Sequence, residues 1–260
     1  MPLIKPHKIL DIPVIPWKEC IAKSLTDGSP GLSVIEHSRN VAEVARSLMA
    51  ILPRSVQILM GDVAVVLAAL HDVGKVSPGF QKKILGNFQA RYNPQIAKYT
   101  LSNFETRHAR ISEAALNAFL GAEYETMDIS AVVGAHHGVR DGTDTLLDSG
   151  SIFGGKEWMQ ERRKLIVQLL KEYGHINRNS ALNIEALTGL VCVADWIGSD
   201  ESFFPPDQNS LLRLLHYNAF DAWSLQAIAI KSYNLIMSGF PKPVNLHLPK
   251  PPDLELLDLF

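Results

Sequence analysis

The sequence lacks the features that mark secreted, disulfide-bonded and membrane proteins. Its two cysteines, Cys20 and Cys192, have no CxxC spacing and no third partner, so neither a disulfide framework nor a zinc knuckle is indicated, and we expect two buried thiols. The longest apolar run, residues 63–70, is far shorter than the roughly 20 residues of a membrane-spanning helix. No apolar leader precedes a cleavage site near the N-terminus, so we expect a cytoplasmic protein with no membrane partner.

The sequence also lacks a large excess of either positive or negative charge. The formal net charge is −2, which argues against a protein that grips nucleic acid by bulk charge, although a local patch is compatible with this sum. No glycine-rich strand-to-helix loop indicates a nucleoside triphosphate cradle, and no serine or cysteine has an evident catalytic triad around it. Apolar residues make up 47% of the chain, which is typical of a folded globular protein.

Helical periodicity without sustained two-residue alternation predicts an all-α fold, a compact helical bundle with long loops. Ser33 and Glu36 match a capping box at the start of the first helix, which should run to Pro53. Asp62 is expected to cap the second helix and Gly74 to end it, while Gly198 should stop a later one. The further helices are predicted at residues 63–70, 106–120, 128–137, 156–173, 184–197, 210–217 and 221–238.

Proline and glycine mark the segments predicted to lie outside helices. Residues 1–32 should form an irregular segment over the surface, residues 75–105 hold turns and scattered aromatics, and residues 138–155 form a long loop of the kind that often covers a site. We expect residues 1–240 to form one domain. Residues 241–260 then form a proline-rich linker and an apolar tail that lead to another domain or chain.

Histidine and aspartate carry the candidate chemistry. Five of the nine histidines fall in four places where helix ends can converge, namely His37, His71, His108, His136 and His137. Asp72 follows His71, and Asp195 lies in an apolar helix where an ionised carboxylate is costly without a partner. A lone histidine on an apolar helix is more often a hydrogen-bonded core residue, and this is the expectation for His7, His175, His216 and His247.

This donor set indicates a pair of metal ions. Neutral imidazole and carboxylate together suit Mn, Fe, Co, Ni or Zn better than Mg, which remains an alternative, or Ca. Seven ligands are too many for one ion. A bridging carboxylate, for which Asp72 is the candidate, can join two ions that clamp the attacking and leaving oxygens of an in-line phosphoryl displacement.

Five short segments carry a family resemblance. Residues 71–75 (HDVGK) resemble the HD signature, and residues 75–81 (KVSPGFQ) resemble the HD nuclease domain of the CRISPR-associated type I helicase-nuclease. Residues 107–112 (RHARIS), 135–138 (AHHG) and 194–199 (ADWIGS) are similar to further segments of that family. The resemblance spans residues 36–206 and departs from the family at Ala109, where glutamate is common.

The resemblance implies an HD-type fold and a metal-dependent deoxyribonuclease acting on single-stranded DNA, with RNA left open. It implies one ion on His37, His71, Asp72 and Asp195, and a second on Asp72, His108, His136 and His137. Asp72 and Lys75 would be the catalytic residues, with Lys75 contacting phosphate. The partners implied are a helicase domain in cis or in trans and an RNA-guided surveillance complex of CRISPR type I antiviral interference.

The charge pattern near the HD signature points to the same substrate class. Between Lys75 and Arg110 there are seven basic residues and one acid, Glu105, interleaved with aromatic residues. A basic groove with aromatic side chains is what unpaired nucleic acid prefers. The candidate substrate contacts are Lys75, Lys82, Lys83, Arg107 and Arg110. In the alternative interpretation, the aromatic side chains belong to the core and the charges are a solvated rim.

Two other functions are compatible with the sequence. One is an HD phosphohydrolase acting on a small nucleotide such as a dNTP or a cyclic dinucleotide, which should leave a circular single-stranded DNA intact. The other is a helical docking module whose metals are structural, in which Asp72→Ala would cost folding or partner binding and no catalysis.

Overall fold

The computed structural model describes residues 13–85, 101–121, 124–140, 148–176, 182–201 and 204. Within these residues the fold is all-α, as predicted, and the only β-pairing is two isolated bridges. The helices are α1 (Val34–Ile51), α2 (Arg54–Met60), α3 (Val63–Leu70), α4 (Pro78–Leu85), α5 (His108–Leu120), α6 (Tyr124–Gly134), α7 (Gly155–Tyr173) and α8 (Ile184–Ser199).

Helix α3 is the centre of the core. It is apolar on every side, and seven of its eight residues are buried, which is the expected place for a helix without a polar face. It packs against α1, α7 and α8. No single described helix is long and apolar enough to cross a bilayer, and only the bent pair formed by residues 54–60 and 63–75 passes on length and composition.

Helix α1 begins as predicted and lies between α3 and α8. The Ser33 side chain accepts from the Glu36 backbone N–H, and the Glu36 carboxylate accepts from the Ser33 N–H at 2.9 Å, which completes the capping box. Gly198 was predicted to stop α8 but lies inside it. A Cβ at Gly198 would come within 2.7 Å of Val41 Cγ2, so this glycine allows α1 and α8 to pack closely.

Other helix ends differ from the prediction. The Asp62 side chain makes no capping hydrogen bond, and α3 ends at Leu70. Gly74 does not end α3 but lies in the single 3₁₀ turn of residues 73–75 that follows. Helix α6 starts earlier than predicted and ends at Gly134. The His-His pair is therefore in the turn after the helix, which Gly138 completes with a φ of 85°.

Helices α2 and α4 were missed by the sequence analysis. The sequence predicts the end of a helix at Pro53 and turn residues, including Pro78, in residues 75–105, but Pro53 is the N-cap of α2 and Pro78 is the first residue of α4. Proline is tolerated in the first turn because its missing N–H has no intrahelical partner there. The helices predicted at 210–217 and 221–238, the domain boundary at 240, the segment 241–260 and part of the 138–155 loop lie outside the described residues.

The N-terminal segment was predicted to wrap the surface, but its described part enters the core. Ile15, Trp17 and Leu32 are buried. Gln81, itself buried, holds Ile21 by accepting from its N–H at 3.0 Å and donating to its carbonyl at 2.9 Å. Both cysteines are buried free thiols, as predicted.

A buried arginine joins the segment after the HD signature to the loop before α7. Arg162 is inaccessible to solvent. It pairs with the Asp148 carboxylate at 2.6 Å and donates to the carbonyls of Val76 and Phe153, each at 3.0 Å. Burial lowers the pKa of Arg162 and raises that of Asp148, and each partner opposes the shift of the other.

We predict that Arg162→Met lowers the free energy of unfolding by about 3–5 kcal/mol, because it leaves a buried carboxylate and the carbonyls of Val76, Phe153 and Asp148 without this donor. Chemical denaturation followed by circular dichroism measures the loss. Lys171→Met, an exposed change on the same helix, is the matched control and should stay within about 0.5 kcal/mol of wild type. Equal stability of the two variants would show that the Arg162 network is not structural.

Candidate metal centre

The structure gathers the seven side chains predicted as metal ligands around one cleft. His37 comes from α1 and Asp195 from α8, while His108 is the first residue of α5. His71 and Asp72 directly follow α3. His136 and His137 lie in the turn after α6. Residues more than 150 positions apart in the sequence are thus brought together by the packing of helix ends.

The Asp72 carboxylate lies at the centre of this cleft and is 1% exposed. Its Oδ2 is 2.9 Å from Nε2 of His37 and 3.1 Å from Nε2 of His71. Its Oδ1 is 3.1 Å from Nε2 of His108 and 3.5 Å from Nε2 of His136. Each carboxylate oxygen therefore faces a different pair of imidazoles.

The donors form two groups that differ in burial. His37, His71, Asp72 and Asp195 form the inner group, are all buried, and have ligand atoms within 4.8 Å of one another. Asp195 Oδ1 is 3.4 Å from Nε2 of His37 and 3.3 Å from Nε2 of His71. The outer group is His108, His136 and His137. Nε2 of His137 is 2.9 Å from Nε2 of His108. His137 is exposed, so this side of the cleft opens to solvent.

Two of the imidazoles are oriented by the main chain at helix ends. Nδ1 of His71 is 2.7 Å from the Ala68 carbonyl oxygen, and Nδ1 of His136 is 2.5 Å from that of Val133. The last carbonyls of a helix have no intrahelical partner, and a carbonyl can only accept. Nδ1 therefore donates in both cases, which turns Nε2 into the cleft, as the partners of metal-bound histidines do.

The chemistry of the cleft fits divalent cations. Nε2 of His37, His71 and His136 and Oδ1 of Asp72 are buried, and although they lie close to one another's carboxylate and imidazole atoms, they make no well-directed hydrogen bond among the described residues. Buried polar atoms are rarely left in this state without an ion or a water. A set of imidazole nitrogens and carboxylate oxygens matches the preference of first-row transition metals.

Gly74 allows the start of α5 to pack closely against residues 71–75, which we call the HD turn. Its N–H donates to Ser112 Oγ at 2.9 Å. A Cβ at this position would lie 2.1 Å from the His108 carbonyl oxygen and 2.5 Å from the Ser112 nitrogen. Because glycine has no side chain, the backbone of His108 can lie directly against Gly74, and this contact helps to place His108 near Asp72.

The protonation of the cleft is set by its two carboxylates. Burial lowers the pKa of His71, but the charges of Asp72 and Asp195 outweigh this and raise it to about 10. Burial and the neighbouring His71 lower the pKa of His136 to about 3. Burial opposes ionisation of Asp72 and Asp195, yet the charge of His71 holds both pKa values below the usual range. His71 therefore carries a proton at neutral pH when no cation is bound, and His136 does not.

Lys75, predicted to contact phosphate, lies in the cleft. Its Nζ is 2.5 Å from Asp72 Oδ2 and 5.4 Å from the centroid of the Phe80 ring. Phe80 is buried, and its ring lies edge-on to His108 at 5.1 Å. For Phe80 the core interpretation is therefore correct. Phe88, Tyr92 and Tyr99 lie outside the described residues.

The remaining candidate substrate contacts occupy two different environments. Arg107 and Arg110 each pair with Glu105 at 2.9 Å. Burial would raise the pKa of Glu105, but hydrogen bonds from Arg107 and Arg110 lower it to about 2, so this acid offsets part of the local positive charge. Lys82 and Lys83 are in the last turn of α4.

Three supporting residues were missed by the sequence analysis. Ser199 Oγ donates to Asp195 Oδ1 at 2.8 Å, and Lys23 donates to the Ser199 carbonyl. Glu113, buried in α5, accepts from Arg140 Nε at 2.7 Å and so ties the chain after the His-His turn to α5. Only Ser199 left a signal, since it lies one helical turn after Asp195. The Lys23 and Glu113 contacts depend on tertiary packing.

Comparisons with known proteins give a consistent result. A family model described as "Cas3, HD domain" matches residues 22–204. The CRISPR-associated endonuclease/helicase Cas3 of Thermus thermophilus is 26% identical over 68% of this chain and 22% of its own length. The CRISPR-associated nuclease/helicase Cas3 of Streptococcus thermophilus is 25% identical over 54% of this chain and 18% of its own length. The chain thus spans about a fifth of the length of these relatives.

Solved structures share the fold. A crystal structure described as a CRISPR-associated protein matches with a TM-score of 0.61 and 26% identity over 95% of this chain and 29% of that one. The Thermus thermophilus cas3 HD domain, crystallised in the presence of Ni²⁺, matches with a TM-score of 0.56 and 21% identity over 88% of this chain and 93% of that one. The second match covers nearly the whole of a separately crystallised HD domain.

We predict that Gly74→Ala lowers the free energy of unfolding by about 1–3 kcal/mol, because the new Cβ meets backbone atoms that cannot move independently. Thermal and chemical denaturation measure the change. Gly189→Ala is the matched control, since a Cβ there meets nothing within 4 Å, and alanine should stabilise α8 by about 0.5–1 kcal/mol. Similar effects of the two substitutions would contradict the close approach at Gly74.

We predict that binding of Ni²⁺ tightens as pH rises from 6 to 9. His71, with a pKa of about 10, must lose its proton to bind a cation, so apparent affinity should rise by up to about ten-fold per pH unit below that value. His136, with a pKa of about 3, adds no such dependence in this range. Calorimetry in buffers of different ionisation enthalpy counts the protons released. His175→Ala should behave as wild type, and a pH-independent affinity would exclude His71 as a ligand.

Proposed function

The chain belongs to the Cas3 HD domain family, and on this premise we propose that it is a metal-dependent nuclease that hydrolyses phosphodiester bonds of single-stranded DNA. The observation that carries the proposal is one buried carboxylate, Asp72, with each of its two oxygens facing a separate pair of imidazoles. This arrangement supports a carboxylate that bridges two cations. In-line phosphoryl displacement is the chemistry that such a pair promotes.

The proposed ligands divide according to the two donor groups. His37, His71, Asp72 and Asp195 hold one cation, and Asp72 together with His108, His136 and His137 holds the other. Divalent cations held there would supply Lewis acidity at the phosphate and would favour an ionised water as the nucleophile. Mn, Fe, Co, Ni and Zn suit the donor set, and the similar Thermus thermophilus HD domain was crystallised in the presence of Ni²⁺.

The side chains of the chain itself provide position and charge. Asp72 and Asp195 lie in the closed part of the cleft, where their negative charge attracts cations and their supporting contacts fix their geometry. The scissile phosphate enters from the open side, past His137. Lys75 pairs with Oδ2 of Asp72, and its positive charge is therefore close to the place where negative charge would develop on the phosphate.

A polynucleotide fits the cleft better than a small nucleotide. Sites for small molecules usually bury most of the ligand in a deep pocket, whereas the outer histidines here include one that is exposed. Lys82 and Lys83, at the end of α4, provide positive charge for neighbouring phosphates. The names of the two Cas3 relatives include a nuclease function. RNA, with the same phosphates, is a second substrate to test.

We also propose that the chain works with a helicase, in cis or in trans, because its relatives are nuclease/helicase proteins several times its length. Residues 241–260 would form the linker and tail that lead to this partner. An RNA-guided surveillance complex would recruit the pair in CRISPR type I interference, in the cytoplasm. The docking-module alternative, in which the metals are structural, is less favoured, because the names of both relatives include a nuclease.

We predict that Asp72→Asn reduces cleavage of a circular single-stranded DNA by at least about 100-fold, because an amide cannot supply the bridging negative charge. Cleavage is measured on gels with Mn²⁺ or Ni²⁺, and addition of EDTA should abolish it in the wild type. Asp62→Asn makes the same chemical change at an exposed aspartate that forms no capping hydrogen bond, and it should retain wild-type activity.

The same assay separates the alternatives. Hydrolysis of a dNTP with the DNA circle left intact would favour the small-nucleotide phosphohydrolase. If the wild type shows neither activity with any of these metals, while Asp72→Asn only lowers the melting temperature, the metals are structural. Undiminished cleavage by Asp72→Asn would overturn the assignment of the site.

A further inference from the structure

A large aromatic side chain is exposed beside the metal centre. Trp196 directly follows Asp195 in α8 and is 63% exposed, whereas Trp17 and Trp158 are buried. An exposed indole next to a metal-ligating carboxylate offers a flat aromatic surface on which a ligand can stack. The ligand assignments do not use this side chain.

The neighbours of Trp196 on α8 show which way it faces. One helical turn earlier, Cys192 Sγ is 3.7 Å from the Ala135 carbonyl, so this face of α8 packs against the turn that carries the outer histidines. Residues four apart share a helix face. Trp196 is therefore one turn further along the same face, while Asp195, about 100° around the helix, points to the inner group.

The open side of the cleft is therefore bordered by apolar groups. Val139, 73% exposed, follows the His-His-Gly turn in the chain. Trp196 lies along the α8 face that this turn packs against. The exposed His137 belongs to the same turn. A phosphate that reaches the outer histidines from this side passes beside this border, and its base can then contact the exposed indole.

We propose that Trp196 is a stacking platform for one base of an unpaired nucleotide whose phosphate enters the metal centre. This inference rests on the proposed nuclease function and names how its substrate is held. Every base has a π-face, so stacking on an aromatic side chain binds single strands without reading their sequence. Paired bases are stacked on their neighbours and are not free to do so, which makes the platform selective for single strands.

Binding of two strands of equal charge isolates the stacking contribution. One is a fluorescent thymidine oligonucleotide, and the other has the same number of phosphates and no bases. Fluorescence anisotropy in EDTA measures the Kd of each for the full chain without cleavage. Trp196→Ala should raise the Kd for the thymidine strand about ten-fold, with the Kd for the abasic strand unchanged. Trp196→Phe should keep most of the affinity, and Trp196→Leu should behave as Trp196→Ala.

The matched control is Ile58→Ala, in α2. Ile58 is also 63% exposed, but α2 meets the opposite end of α8, where the Asn183 N–H donates to the Leu59 carbonyl at 2.9 Å. This variant should bind both strands as wild type does. Circular dichroism and melting temperature confirm that each variant is folded.

Three results would overturn the proposal. They are equal affinity of the wild type for the two strands, an equal loss on both strands in Trp196→Ala, and no binding of either strand. A fall in melting temperature with unchanged strand affinity would also overturn it and assign Trp196 to packing. A cleavage assay with Mn²⁺ or Ni²⁺ tests the proposed function separately. A strand that binds through Trp196 but is not cleaved would contradict the nuclease function. The stacking role of Trp196 would still be supported.

Discussion

The structure depends on how one ionised carboxylate is kept inside an apolar helical core. Asp72 is almost inaccessible to solvent, and burial of an isolated carboxylate costs several kcal/mol or more. Protonated His71 and Lys75 balance this charge, assisted by His108. The arrangement therefore creates a strong preference for positive charge at a fixed point of the fold.

Distant segments of the chain can converge around Asp72 because glycines at their contacts allow close approach. Gly74 lets α5 approach the HD turn, and Gly198 lets α8 approach α1. Gly134, at the end of α6, faces Glu113 so closely that a Cβ would lie 2.0 Å from its Oε2. Each contact joins two elements that supply donors to the cleft. In this fold, several glycines of the site segments serve close packing more than chain flexibility.

The structure brings together the seven side chains that the sequence proposes as donors and confirms most long helices, whereas the sequence failed where tertiary contacts decide. The α1 capping box is local, so four residues were enough to predict it. Helices α2 and α4 are short, begin directly after or at a proline, and have too few turns for a periodic signal. Burial of the N-terminal segment depends on Gln81, about 60 residues away. Burial of Lys75 and pairing of Arg110 with Glu105 are likewise set by the folded chain.

The hydrogen bonds from His71 and His136 to carbonyls at the ends of α3 and α6 affect the entropy of binding. A free imidazole samples several rotamers, and fixing it on an ion costs part of the interaction free energy. Here both rings are already fixed to the main chain before any ion arrives. The entropy of these two side chains was therefore lost on folding, so an incoming cation meets a rigid pair of nitrogens.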